Sequence, residues 1–253
     1  MGRGRCFLVV TGLWWALAAG GPAEAELPVQ GKVAAGQPPF AIVELLVAGN
    51  DKALPAAVAI PAGELAPAVT WLADCDPRVQ PGLFLADGPG QLYSVRTLGP
   101  ELTPVAAAVD FGVFGLRTPV LLITGQTDSP ILALALAPER AVDAGLRRVV
   151  DRLAAVMPPG LDAGDGERLL QAAEALVDSL VAEGVARYQE RVTTGRLTVV
   201  GAIIDLENRY GRGGGRLVLI NVNNETDDAT LRKLPIMARL DAARRALAVG
   251  RRR

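Results

Sequence analysis

Residues Val120 to Thr124 (VLLIT) form a short, uninterrupted apolar run. A strand with no polar face has no side to give to water, so this run reads as a central strand of a parallel sheet. Ala66 to Ala73 (APAVTWLA) is similarly apolar and partly β-branched, which also predicts a buried strand. Gln91 to Arg96 (QLYSVR) alternates as a strand does. Leu197 to Leu206 and Arg216 to Val222 are two further strands. The polar, glycine-rich stretch Asn208 to Gly215 between them predicts a hairpin with a flexible tip.

Helical patterns fall between the strands. Phe40 to Ala48 has apolar residues at helical spacing and a cap at Gly49-Asn50. Ser129 before Pro130 is an N-cap followed by proline at the first helical position. Ala141 to Met157 is amphipathic and stops at Pro158-Pro159-Gly160. Glu167 to Val192 predicts the longest helix, with Leu169, Leu170, Ala173, Leu176, Val177 and Leu180 on its apolar stripe. Thr226 predicts the cap of a C-terminal helix that Pro235 kinks, and Arg251 to Arg253 read as a solvated basic tail. Strands alternating with helices imply one α/β domain: a mainly parallel central sheet flanked by helices, with an antiparallel edge hairpin.

Two counts exclude whole classes of chemistry. The 253 residues contain no histidine and two cysteines. There is no imidazole base, no Ser-His-Asp triad and no His-ligated metal. Two cysteines cannot build an all-cysteine zinc site or a disulfide scaffold. The formal net charge of -1 argues against a nucleic-acid partner.

Residues 1–25 read as a secretory signal. Arg3 and Arg5 form a positive start, Phe7 to Gly20 an apolar segment, and Ala23-Glu24-Ala25 a small-x-small cleavage site. The apolar segment is shorter than the ~20 residues that span a bilayer, and no later segment is a transmembrane candidate. The expectation is an exported chain, periplasmic or secreted, whose mature form starts near Glu26. Residues 26–39 form an N-terminal arm and 40–253 the domain. Cys6 leaves with the signal, and the remaining Cys75 is expected to be a buried, inert thiol.

Four segments, in order, carry a resemblance. Ala41 to Asn50 (AIVELLVAGN) is the first. Ala73-Asp74-Cys75-Asp76-Pro77-Arg78-Val79, continued to Arg96, is the second. Ala108-Val109-Asp110-Phe111-Gly112 through Gly125-Gln126-Thr127-Asp128-Ser129 is the third. Gly195 to Leu206, containing Gly201-Ala202 and Asp205, is the fourth. Together they resemble the β-class carbonic anhydrases. The resemblance implies their fold, a homodimer, a zinc cofactor and reversible CO2 hydration.

The chain departs from that family's pattern at the metal. The resemblance implies zinc ligands Cys, His and Cys. In this sequence those positions fall on Asp74, Gln126 and Ser129, with Cys75 one residue out of register on an extended strand, hence facing away. The family's Asp-Arg dyad is kept as Asp76 and Arg78, either as a catalytic pair or as a structural clamp on the loop. A carboxylate, an amide and a hydroxyl lack the thiolate and imidazole that favour zinc. Without metal, nothing brings the pKa of a water from about 15.7 toward about 7. The expectation is therefore a carbonic-anhydrase-like pseudoenzyme with no metal, acting as a binding or structural module. In that reading Gln126 and Ser129 bond each other in the vacated site. The alternative is retained carbonate dehydratase activity, or another small-molecule reaction, in the altered cleft. Arg78 and the N–H groups opening the Pro130 helix would then hold a small anion such as bicarbonate.

Overall fold

A computed structural model describes residues 66–83, 92–137, 143–159 and 166–252, with Val43, Val47 and Ala48. The signal segment, the arm, the Gly49-Asn50 cap and Phe84 to Gln91 lie outside the described residues. So does most of the Phe40–Ala48 helix, of which Val43, Val47 and Ala48 are helical.

Five strands form one sheet: β1 (Val69–Asp74), β2 (Leu92–Thr97), β3 (Val120–Gln126), β4 (Thr198–Asp205) and β5 (Arg216–Val222). Their spatial order is β2-β1-β3-β4-β5. β1 runs parallel to both β2 and β3, and β3 parallel to β4. β5 returns antiparallel to β4, as the hairpin reading required. The chain leaves β1 to one side for β2 and then crosses to the other side for β3. That reversal opens a crevice at the carboxyl ends of β1 and β3, where open α/β sheets place ligands.

The helices are α1 (Ala106–Asp110), α2 (Pro130–Leu136), α3 (Ala144–Ala155), α4 (Gly166–Arg187), α5 (Gln189–Thr193), α6 (Asp228–Leu231) and α7 (Ala242–Ala248). The side chains of β1, β3 and β4 alternate between two cores. Leu72, Leu121, Ile123, Val199 and Ile203 face the α4 side with Leu176, Val177 and Val181. Trp71, Ala73, Leu122, Val200, Ala202 and Ile204 fill the other face. Trp71 is fully buried, and its indole N–H donates to Thr124 Oγ1 at 2.9 Å, which satisfies the one polar atom it brings inside. Gly201 sits where α4 packs closely on the sheet. A Cβ there would lie 2.7 Å from Val177 Cγ1 and 2.8 Å from Val181 Cγ2.

Three sequence expectations change. The helix expected over 167–192 breaks at Tyr188, whose backbone (φ -109°, ψ 26°) leaves the helical region before α5 begins. Its buried ring meets Phe114 edge-on and its hydroxyl donates to Asp110 at 2.8 Å. The C-terminal helix is capped by Asp227 rather than Thr226: the Asp227 carboxylate accepts from Thr230 N at 2.8 Å. It is one turn long. Pro235 does not kink it but opens a separate 3-10 turn, and α7 follows with its own cap at Asp241. The basic tail is not simply solvated, because Arg251 and Arg252 pair with acids of α4. No helix among the described residues is long and apolar enough to cross a membrane.

Candidate functional site

The crevice between the ends of β1 and β3 gathers the residues singled out in the sequence. Asp74 is the last residue of β1, and Gln126 the last of β3. Ser129 caps α2, accepting from Leu132 N at 3.4 Å, as its place before Pro130 predicted. Asp74, Asp76, Gln126 and Ser129 are 4, 7, 2 and 2% exposed, so each needs a partner within the protein.

Each has one. Ser129 Oγ donates to Asp74 Oδ2 at 3.2 Å, and Gly99 N donates to Asp74 Oδ1 at 3.3 Å. Gln126 Nε2 donates to Asp76 Oδ2 at 2.7 Å. The amide and the hydroxyl thus bond two carboxylates and not each other, a change from the expected pairing. A carboxylate offers more acceptor sites than a neutral neighbour does, and both donors are within reach of one.

Asp76 is also held by Arg78. The Arg78 backbone N–H and Nε donate to Oδ1 at 2.8 and 3.0 Å, and Nη2 donates to Oδ2 at 2.7 Å. The other side of the guanidinium reaches Asp128, with Nη1 on Oδ2 at 2.7 Å and Nη2 on the carbonyl at 2.8 Å. Arg78 therefore clamps the loop after β1 to the loop after β3. Asp128 sits at φ +57°, a left-handed conformation that aspartate tolerates better than most residues.

Burial acts on both carboxyls, but the outcome differs. It dominates at Asp74 and raises its pKa, with the nearby Asp76 charge adding to the effect. At Asp76 burial also pushes upward, but hydrogen bonds and charge from Arg78, with Gln126, outweigh it and lower the pKa. The cluster pairs an easily protonated acid with a firmly ionised one.

Two contributors were given no role in the sequence reading, although Arg96 closes one of the segments that carry the resemblance and Asp128 lies in another. Arg96, at the end of β2, donates to the carbonyls of Asp74 (2.8 Å), Asp76 (2.9 Å) and Val79 (2.5 Å) and lies over the Trp71 ring at 5.4 Å. It fixes the path of the loop that carries Asp76 and Arg78. Asp128 is the second. An arginine at a strand end and an aspartate in a turn are too common to single out without the fold that joins them. Cys75 corrects an expectation. It is exposed, not buried: it lies one residue past the end of β1, whose Trp71 and Ala73 on the same face are fully buried. Partial burial and the adjacent Asp74 charge raise the pKa of its thiol, which keeps it protonated. No group of three or more His, Cys, Asp or Glu suited to a metal ion occurs among the described residues.

A tetrameric β-carbonic anhydrase from the ascomycete Sordaria macrospora superposes on this chain with a TM-score of 0.51 at 18% identity, covering 72% of this chain and 95% of its own. The β-carbonic anhydrase CcaA superposes with a TM-score of 0.54 at 14% identity, covering 72% and 88%. At these identities the likeness shows the fold. No curated protein matches the chain in sequence. The carbonic anhydrase family model matches residues 69–212, from the start of β1 through the turn after β4. That match spans more than half of the chain and contains the whole crevice, so the chain belongs to the carbonic anhydrase family, with the fold of its β class.

Proposed function

We propose that this chain is a member of the carbonic anhydrase family that holds no zinc, does not hydrate CO2 and acts as a binding or structural module. One observation carries the reading. The side chains at the carboxyl ends of β1 and β3 are engaged with each other, through Ser129 on Asp74, Gln126 on Asp76 and Arg78 across Asp76 and Asp128.

The donor chemistry does not fit zinc. Asp74 and Asp76 are carboxylates that zinc can accept, but zinc sites complete such ligands with thiolate or imidazole, and Gln126 and Ser129 supply neither. Gln126 turns its amide N–H toward Asp76, presenting a donor where a metal needs a lone pair. Asp76 is neutralised by Arg78 and has little charge left to offer a cation. Under this reading the Asp76-Arg78 dyad is a structural clamp. The test is stopped-flow CO2 hydration by the purified chain. A rate at the buffer background supports the reading, and fast hydration sinks it.

A second reading rests on a different observation. Asp74 and Asp76 are neighbouring carboxyls whose pKa values are driven in opposite directions, the arrangement that acid–base sites use. It keeps a small-molecule reaction in the crevice, with bicarbonate as a candidate ligand of Arg78. Against it, Arg78 already spends Nε, both N–H groups of Nη2 and one of Nη1 on Asp76 and Asp128, which leaves an anion a single N–H on Nη1 unless it displaces Asp128.

The export signal over 1–25, the arm over 26–39 and a domain over 40–253 are part of the same proposal. They rest on the sequence pattern and predict a mature N-terminus near Glu26, which N-terminal sequencing of the exported protein checks. A homodimer is proposed as well. Its support is the exposed Val43 and Val47, one helical turn apart, together with exposed Phe111 and Phe114.

A further inference from the structure

The charges of the chain are divided. Residues 232–253 hold eight Lys or Arg and a single acid, Asp241, while the other residues hold 18 Lys or Arg against 26 Asp or Glu. Not all eight cations are free. Arg251 and Arg252 pair with acids of α4, and Arg232 is spent on Asp228 and on the Val249 carbonyl. Lys233 and Arg239 are exposed and form no ion pair among the described residues. Arg244 lies 3.7 Å from Asp241, but the two side chains are 74 and 61% exposed, so water screens the pair.

The fold turns the free cations outward beside apolar side chains. A three-residue period runs inward from Leu231: Leu231 and Met237 are buried in the small core that includes Val222 of β5, and Leu234 and Leu240 pack against it. Lys233, Ile236 and Arg239 repeat the same period on the exposed side. The 3-10 turn Pro235–Met237 supports that period, because residues three apart in such a turn eclipse one another. Arg244 and Leu247, one turn apart on α7, are exposed as well. Ile236 is 46% and Leu247 40% exposed, although both are large and aliphatic. Of the eleven exposed residues from Lys233 to Leu247, seven are apolar, three are Lys or Arg and one is Asp241. A face that is only solvated has no use for that mixture; a membrane interface takes apolar and cationic groups together.

We propose that the face from Lys233 to Leu247 docks the chain on an anionic lipid surface, lying on it without crossing it. Lys233, Arg239 and Arg244 meet the lipid phosphates, and Ile236 and Leu247 enter the boundary beneath them. The same surface repels the acidic body, which turns the C-terminal end toward it. Nucleic acid fits less well: residues 232–253 contain no aromatic ring for a base to stack on, and a phosphate backbone offers nothing to two exposed aliphatic side chains. The proposal gives the binding-module reading a partner but does not rest on it, because β4 and β5 separate this face from the crevice strand β3.

Cosedimentation with vesicles tests this, using phosphatidylcholine alone and phosphatidylcholine with about 30% phosphatidylglycerol. Three exposed cations at about 1 kcal/mol each predict binding to the anionic vesicles on the order of a hundredfold tighter, lost at about 0.5 M salt. Arg239→Ala with Arg244→Ala is expected to weaken that binding about 25-fold. Ile236→Ser with Leu247→Ser keeps every charge and is expected to weaken it at least about tenfold. Residues 1–25 are common to wild type and variants, so the differences isolate the face. Equal binding to both vesicles, or either double variant binding as wild type does, overturns the proposal. So does capture of the wild type by single-stranded DNA and not by the vesicles. A wild-type dimer that Ile236→Ser with Leu247→Ser dissolves, read by sedimentation velocity without lipid, assigns the face to a second copy and also overturns it. If circular dichroism shows that Arg244→Ala loosens α7, Lys233→Ala with Arg239→Ala decides in its place. CO2 hydration reads the crevice alone, so the two proposals fail separately.

Discussion

Arg78→Ala removes the clamp between the loops that follow β1 and β3. Arg78 gives Asp76 side-chain bonds of 3.0 and 2.7 Å and gives Asp128 two more of 2.7 and 2.8 Å. Breaking a buried ion pair costs about 3–5 kcal/mol, and an exposed pair contributes about 0–1. The Asp76 side chain is 4% exposed and that of Arg78 is 42% exposed, so the pair lies between those limits. The expected loss is about 2–3 kcal/mol, most of it from leaving Asp76 buried with Gln126 as its remaining side-chain donor. Urea unfolding at pH 7 measures it, with Asp76→Asn and the double variant completing the cycle. The expected coupling between the two positions is about 1–2 kcal/mol. The pKa of Asp76 is lower in the folded chain than its ordinary 3.8, so this contribution is present above pH 3.8 and is lost as pH falls through the folded value. A coupling below about 0.5 kcal/mol at pH 7, or one that does not weaken as pH falls below 3.8, refutes the clamp.

Other outcomes follow from the same geometry. Asp74→Asn is expected to raise stability at pH 7: burial raises the Asp74 pKa above 3.8, so its charge opposes folding at neutral pH, and the gain fades as pH falls through the raised folded value and is gone below 3.8. Thermal melts at pH 7 and pH 3.5 check the sign. Gly201→Ala forces a methyl group against Val177 and Val181 and is expected to cost about 1–3 kcal/mol in urea unfolding. Cys75, exposed and protonated, is expected to react with a maleimide in the native chain, slowly at pH 7 and faster as pH rises. Mass spectrometry of the native and urea-unfolded protein checks this against a thiol labelled only after unfolding.

What the sequence disclosed depended on how local the signal was. The VLLIT run, the LTVVGAIIDL and RLVLINV pair and the Ser129-Pro130 cap each depend on neighbours in the chain, and each became the element it predicted. The crevice was legible as a set of residues, because Asp74, Asp76, Arg78, Gln126 and Ser129 stand at strand and helix ends. Their pairing was not, since which carboxylate Gln126 reaches is decided by how the β1 and β3 ends are staggered. The roles of Arg96 and Asp128 were invisible for the same reason. Tyr188 shows the limit for helices. A periodic stripe runs through it, but a contact with Asp110, 78 residues away, ends the helix there. The cap expected at Thr226 falls one residue later, on the Asp227 carboxylate.

The metal decides the central claim most directly. The chain is to be produced in zinc-supplemented medium, purified without chelator and its zinc measured by mass spectrometry of the metal. With Gln126 and Ser129 bonded to carboxylates and Arg78 holding Asp76, the expected content is well below one zinc per chain, lost on simple buffer exchange. One zinc per chain that survives exchange would contradict the account.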